Sequence, residues 1–355
     1  MFKNQYNFNI FMGIYIFVLG RNPELSVLEL KSYLEARNIA YDLLEATKEI
    51  LLLQLPNLDF RKMIKDLGGI VKIGEVGFKN FYEGDKNKIL YGVNRYSSNL
   101  KINFNEIFKA EGIKAYLKAK ENINPSKSVK LDVEFLIYKN NVAKVVAVFN
   151  PKEYKERDKR PYLDSLRVSS IRLSKILINL SGAKEGDLLL DPFCGVGTIL
   201  QEALLMGIKV IGVDKDKIII DKCKENLRWL NKNGWEVINA DSRYLSKYIK
   251  SVDNVATEPY LGPFLNSPPN NEEAKRIIKL LEELYSPLFN ELYKIVKGKV
   301  SIVIPWFRST SGMEFRIDFK TIFKRAGFVA TSGYPIKYEE GSTIKREIWV
   351  LKRKV

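Results

Sequence analysis

Residues 186–216, GDLLLDPFCGVGTILQEALLMGIKVIGVDKD, constrain the fold more than any other stretch, because they read as strand, glycine loop, helix, strand. Leu188, Leu189 and Leu190 form a continuous apolar run suited to a strand buried on both faces, ended by Pro192, Gly195 and Gly197. The spacing predicts a helix from Thr198 to Met206, stopped by Gly207, and a second buried strand from Lys209 to Val213 that ends in Asp214. In such a βαβ unit a ligand sits at the carboxyl edge of the strands.

The loop differs from a dinucleotide fingerprint in two places. Leu200 stands where the third glycine belongs, and Asp191 precedes the loop where a pyrophosphate would come close. A carboxylate there repels phosphate and attracts a cation, which suits S-adenosylmethionine, whose ammonium and sulfonium flank its adenosine. Gly195 and Gly197 would let the backbone approach the methionine part, while the helix N-terminus faces its carboxylate. Asp214, 17 residues after Gly197, is spaced to accept hydrogen bonds from both ribose hydroxyls.

Composition narrows the chemistry. Histidine is absent, which removes histidine triads, HExxH zinc sites and histidine general bases. The two cysteines, Cys194 and Cys223, are too few for a four-cysteine zinc site and fit a reducing cytoplasm, so no metal is expected. Cys194 reads as a small residue in a tight turn rather than a nucleophile. The net charge of +16 points to a polyanionic partner, and 12% aromatic residues offer stacking surfaces for bases. Residues 10–20, IFMGIYIFVLG, are too short to span a bilayer and lack a cleavage site, so they read as a buried strand and no membrane partner is expected.

With 355 residues the chain can hold two or three domains. Residues 1–80 read as βαββαβ, the order of a ferredoxin-like domain, with strands at YIFVLG, near 39–44, at ILLLQL and at GGIVKIGEVGF. Residues 81–150 read as a small α+β unit that includes strand KILYGVNRY, a helix from Phe104 to Glu111 and a hairpin turning at Asn140–Asn141. Its lysines, Lys101, Lys109, Lys114, Lys118, Lys120, Lys127 and Lys130, form either a solvated face or a phosphate-tracking surface. Residues 151–172 read as a basic linker with little core, in which Arg157, Lys159, Arg160 and Arg167 are either RNA contacts or a solvated run. Residues 173–355 continue as an α/β domain, with helices at 216–231, 272–297 and 315–326 and a count of strands suited to a seven-stranded sheet ending in an antiparallel pair.

These segments together resemble the THUMP-domain RNA methyltransferases, especially the tRNA guanosine-N2 methyltransferases of archaeal and eukaryotic type. YIFVLGRNPELSVLEL is similar to the family's opening ferredoxin-like segment, KILYGVNRY to the start of its THUMP module, and VAVFNPKEYKERDKRP to the THUMP end and linker. LSKILINLSGAKEGDLLLDPFCGVGTILQEAL is the most specific part. The resemblance implies a Rossmann-like methyltransferase domain preceded by a ferredoxin-like plus THUMP RNA-binding module, a tRNA partner gripped at its acceptor region, and a cytoplasmic enzyme that methylates a base amine. It places Asp191, Phe193, Gly195, Gly197 and Thr198 in the cofactor loop, Asp214 on the ribose, and Asp241 with Ser242 near the adenine. Asp241 also fits a helix N-cap.

The family's catalytic loop reads Asp-Pro-Pro-Tyr-Gly, whereas this chain has Glu258-Pro259-Tyr260-Leu261-Gly262. A carboxylate and a proline carbonyl that accept the two N–H groups of guanine's exocyclic amine favour its pyramidal form, and an aromatic ring stacks on the flipped base. Glu258, Pro259 and Tyr260 can fill these roles, although a second register sets Thr257 at the family's Asp. The alternatives are a ribosomal-RNA guanine-N2 or adenine-N6 methyltransferase, or an RNA-binding protein with a decayed loop.

Overall fold

The computed structural model describes residues 12–163, 170–338 and 343–354. The chain divides into two compact units, one holding residues up to Val27 with Arg37–Lys155, the other Leu28–Ala36 with Glu156–Val355.

In the first unit, β1 (Met12–Leu19), α1 (Pro23–Ala36, whose later residues count with the second unit), β2 (Asp42–Ala46), β3 (Ile50–Pro56), α2 (Phe60–Asp66) and β4 (Ile70–Val76) follow the expected βαββαβ order. The strands align as β2-β3-β1-β4, with β1 antiparallel to both β3 and β4. Its apolar run Tyr15–Leu19 is buried, as a central strand requires. The sheet does not stop there. It continues through β5 (Lys88–Tyr96), α3 (Phe104–Ala110), β6 (Lys114–Lys120), α4 (Pro125–Ser128), β7 (Val133–Tyr138) and β8 (Asn141–Val148), in the order β4-β8-β7-β5-β6.

The two segments read as separate domains from the sequence therefore share one eight-stranded sheet, joined where β4 pairs antiparallel with β8. Buried Lys72 on β4 reaches across, donating to the Ile123 carbonyl at 2.7 Å and pairing with buried Glu134, which also accepts from Asn94 at 2.9 Å. An ion pair so far apart in sequence has no local signal. The hairpin turns one residue earlier than expected, at Lys139–Asn140, with Lys139 at φ +52° and Tyr138 paired to Asn141.

The linker is more ordered than its composition suggested. Residues Pro151–Arg157 form α5, and Arg160 is buried because it packs into the second unit, of which it is part.

The second unit runs α6 (Ile171–Leu180), β9 (Leu188–Asp191), α7 (Thr198–Leu205), β10 (Lys209–Asp214), α8 (Lys217–Leu230), β11 (Trp235–Asn239), a 3₁₀ turn (Ser242–Lys247), β12 (Asn254–Thr257), α9 (Asn271–Ile295), β13 (Lys299–Arg308), β14 (Glu314–Arg316), α10 (Phe319–Arg325), β15 (Phe328–Ala330), β16 (Ile336–Tyr338) and β17 (Ile344–Arg353). Among the described residues seven strands form a continuous path, β11-β10-β9-β12-β13-β17-β15, and the short β14 and β16 bring the sheet to nine, two more than expected. β14 takes up residues read as the start of a helix, which instead begins at Phe319 behind the N-cap Asp318. Strands β9 to β13 run parallel, while β17 is antiparallel to both β13 and β15. One face of α9 (Ile277, Leu281, Leu288, Leu292 and Ile295) is buried with Val255, Val300 and Ile302 in one apolar core. The chain winds from β9 outward to β10 and β11, then returns to the other side of β9 at β12, so the crevice between the ends of β9 and β12 is a topological switch point. Among the described residues no helix is long and apolar enough to cross a membrane.

Candidate active site

Three acidic side chains meet at the carboxyl ends of β9, β10 and β12. Asp191 ends β9 and is 2% exposed. Its carboxylate accepts from the Thr257 hydroxyl at 2.7 Å and from the Phe193 backbone N–H at 3.1 Å. Burial pushes its pKa up to about 7 against these two hydrogen bonds, and the negative charges of Asp214 and Glu258 push the same way. A carboxylate held so far from water, with two further acids beside it, is a place where a cation would relieve the local field.

Asp214 ends β10 and accepts from Gly195 N–H at 3.2 Å and Asp216 N–H at 3.0 Å. It thereby ties the loop after β9 to the second strand, and an ionised carboxylate keeps lone pairs for further donors. Gly195 (φ +52°) and Gly197 (φ +90°) both hold the left-handed conformation that other residues resist. At Gly195 an added Cβ would meet nothing within 4 Å, so the loop is open on that side, whereas at Gly197 it would lie 2.8 Å from Cys223 Sγ. Open loop, buried carboxylate and helix N-terminus together fit a ligand with a cationic group, a carboxylate and a diol. Cys194 is buried in the same loop, where contact with Cys223 and burial push its thiol well above the ordinary value, so it is no nucleophile at neutral pH.

Across the crevice, β12 ends at fully buried Thr257 and the chain passes into Glu258-Pro259-Tyr260. The Glu258 side chain is 11% exposed and pairs with Arg346 Nε at 3.4 Å, an arginine that β17 brings alongside β13. Tyr260 is 45% exposed, and its carbonyl accepts from the hydroxyl of buried Tyr285 on α9 at 2.8 Å, which pins the loop while the ring faces water. Gly262, at φ +111°, lies against Ile277 and Phe307, where an added Cβ would come within 3.2 Å and 3.3 Å.

Asp241 caps the 3₁₀ turn, accepting from Arg243 N–H at 2.9 Å, and its ion pair with Arg243 at 2.6 Å holds its carboxyl below the usual range. Buried Ser242 follows it, and the preceding Ala240 N–H donates to the Asp214 carbonyl, so this turn adjoins the β10 end of the ledge. Of the basic residues assigned to RNA, Arg160 is buried against α7, and Arg157 is paired with Glu202 at 2.8 Å; neither is placed to meet a phosphate backbone. Lys159 is exposed and pairs with Glu156, and Arg167 lies outside the described residues. Among the described residues no group of three or more His, Cys, Asp or Glu side chains could hold a metal ion.

Sequence reading did not assign Arg346, Tyr285 or Arg160 to this site. Arg346 and Tyr285 act from strands and helices far along the chain, and only their charge and burial pattern could have hinted at them.

The model of the RMKL-like, methyltransferase domain family matches residues 157–318, and a DNA methylase family model matches residues 79–225. A tRNA (guanine(10)-N2)-dimethyltransferase of Methanothermobacter thermautotrophicus is 42% identical over 104 residues, 29% of this chain and 30% of that protein. One from Pyrococcus abyssi is 28% identical over 178 residues, 49% of this chain and 50% of that protein. A probable tRNA (guanine(10)-N2)-dimethyltransferase of Methanothermococcus thermolithotrophicus is 36% identical over 109 residues, 29% of this chain and 67% of that protein. The matched stretch thus spans half or less of the first two of these relatives. Matched over two thirds of the third, at more than a third identity, the chain belongs to the tRNA guanine-N2 methyltransferase family.

Proposed function

We propose that the protein is an S-adenosylmethionine-dependent tRNA methyltransferase acting on the exocyclic N2 amine of a guanosine, and that its target is the position named for its relatives, guanosine 10. The observation that carries this reading is the juxtaposition of Asp191 and Glu258 on the two strand ends that flank the switch point. A cation-seeking carboxylate and an amine-seeking carboxylate then face one crevice.

In this reading Asp191 balances the positive charge of the cofactor, Gly195, Gly197 and Thr198 admit its methionine part, and Asp214 takes the ribose hydroxyls. Phe193, Asp241 and Ser242 border the adenine. When bound, the cofactor supplies an electrophilic methyl group. Glu258 and the Pro259 carbonyl accept the amine's N–H groups, which frees the nitrogen lone pair from conjugation, and Glu258 receives the proton lost on methylation. Tyr260, exposed and anchored through its carbonyl, stacks on the extruded base. Catalysis consists of positioning for in-line attack, with no covalent intermediate. Because the Thr257 hydroxyl already donates to Asp191, the register that puts Glu258 in the amine-accepting role is favoured over the one that uses Thr257.

The eight-stranded sheet of the first unit, with the exposed lysines of β6, is the THUMP-containing RNA-binding module in this account, and the enzyme works in the cytoplasm.

A tRNA transcript incubated with labelled S-adenosylmethionine should take up label, and inosine at position 10, which lacks the 2-amine, should abolish uptake. Undiminished label with inosine would move the target elsewhere. Glu258→Gln should lower the rate by roughly 10²- to 10⁴-fold while cofactor affinity is retained; an unchanged rate would remove Glu258 from the mechanism.

A further inference from the structure

The linker arginines read as either RNA contacts or a solvated run, yet the last one among the described residues before the helix α6 lies inside the second unit. Arg160 is 5% exposed. Its guanidinium donates through Nη2 to Thr198 Oγ1 at 3.4 Å and through Nη1 to Gln201 Oε1 at 3.3 Å, both long and both to neutral partners. Its buried Nε has no hydrogen-bond partner among the described residues. Thr198 is the first residue of α7, the helix whose N-terminus opens onto the loop with Gly195 and Gly197.

Glu202, 1% exposed, already pairs with Arg157 at 2.8 Å and lies 3.7 Å from Lys175, and it attracts Arg160 less than exposed Asp158 does. The positive end of α7 has the same sign as Arg160, so α7 does not compensate it. A buried guanidinium whose Nε has no partner among the described residues, and whose other bonds are long and to neutral atoms, has donors left for another anion.

Resting on the functional reading above, we infer that Arg160, acting through Thr198 at the head of α7, is the residue that selects for the carboxylate of the cofactor's methionine part. Asp191 answers the cofactor's positive charge and Arg160 its negative one. Arg160 takes no part in methyl transfer itself; it is a binding and positioning residue contributed by the segment that precedes α6. Its charge reaches the ligand through a hydroxyl that accepts from the guanidinium and donates onward.

Binding calorimetry with two probes tests this, S-adenosylmethionine and its decarboxylated analogue, which keeps sulfonium, ammonium and adenosine. The wild-type protein should bind the carboxylate-bearing form more tightly. Arg160→Gln should weaken that form by about ten- to a hundredfold, the range for a hydrogen bond to a charged group, and leave the analogue's affinity unchanged. Arg160→Lys should keep part of the preference, and Thr198→Val should lose it without touching the buried charges, which covers the case in which Arg160→Gln does not fold. Equal weakening of both probes, or a wild-type protein that binds both alike, would overturn the inference while the methyltransferase reading stands. A wild-type protein that binds neither would end both.

Discussion

Replacing Asp191 by asparagine should make the ligand-free protein more stable at alkaline pH and worse at holding its cofactor. The folded carboxyl has its pKa raised from the ordinary 3.8 to about 7, so the folded state keeps a proton that the unfolded chain releases. Stability is therefore lost as pH rises from about 4 to about 7 and levels off above that. At about 1.4 kcal/mol per pH unit, the gap between 3.8 and about 7 sets an upper bound of about 4 kcal/mol on what the buried charge costs at pH 8. The substituted amide would remain neutral throughout, and its oxygen can still accept from Thr257 and Phe193. Scanning calorimetry without ligand should show Asp191→Asn melting several degrees above wild type at pH 8, with the gap closing near pH 4. Titration with S-adenosylmethionine at pH 8 should show at least a tenfold loss of affinity. In the wild type, affinity should fall as pH drops below about 7, because the proton on Asp191 competes with the cation. A variant that is less stable than wild type at pH 8, or that binds the cofactor as well, would refute the assignment of Asp191 as a strained cation site.

Gly197→Ala should cost roughly 1–3 kcal/mol, because a Cβ at φ +90° would lie 2.8 Å from Cys223 Sγ; urea unfolding would read it as a lower midpoint, and an unchanged midpoint would mean that the loop relaxes freely. Tyr285→Phe removes the hydroxyl that holds the Tyr260 carbonyl at 2.8 Å and should reduce kcat up to about tenfold while cofactor affinity stays the same, as steady-state kinetics with calorimetry would show. Glu202→Ala leaves Arg157, Lys175 and Arg160 without their shared carboxylate and should destabilise by roughly 3–5 kcal/mol in denaturant titration.

What the sequence made legible was local. The run from Leu188 to Asp214 carries its own strand periods, glycines and terminal acids, so the β9–α7–β10 unit and the adjacency of Asp191 and Asp214 followed from spacing alone. The βαββαβ order of the first segment was readable for the same reason. What depended on chain-distant pairing was not. The Asp191–Thr257 bond links residues 66 apart, and Arg346 reaches Glu258 only because β17 returns antiparallel beside β13. Lys72 and Glu134 meet only because β4 and β8 join the two segments. Arg160 shows the limit most clearly: a charge-dense stretch poor in large aliphatics reads as a linker with little core, and nothing in its composition says that one arginine turns inward to the head of α7.

The most direct test of the central claim is nucleoside mass spectrometry of total tRNA after incubation with purified protein and methyl-labelled S-adenosylmethionine. Label confined to N2-methylated guanosine is the predicted result, and its loss in Glu258→Gln should accompany retained cofactor binding. Label in N6-methyladenosine with none in N2-methylguanosine, or no transfer at all from a protein that binds the cofactor, would contradict it.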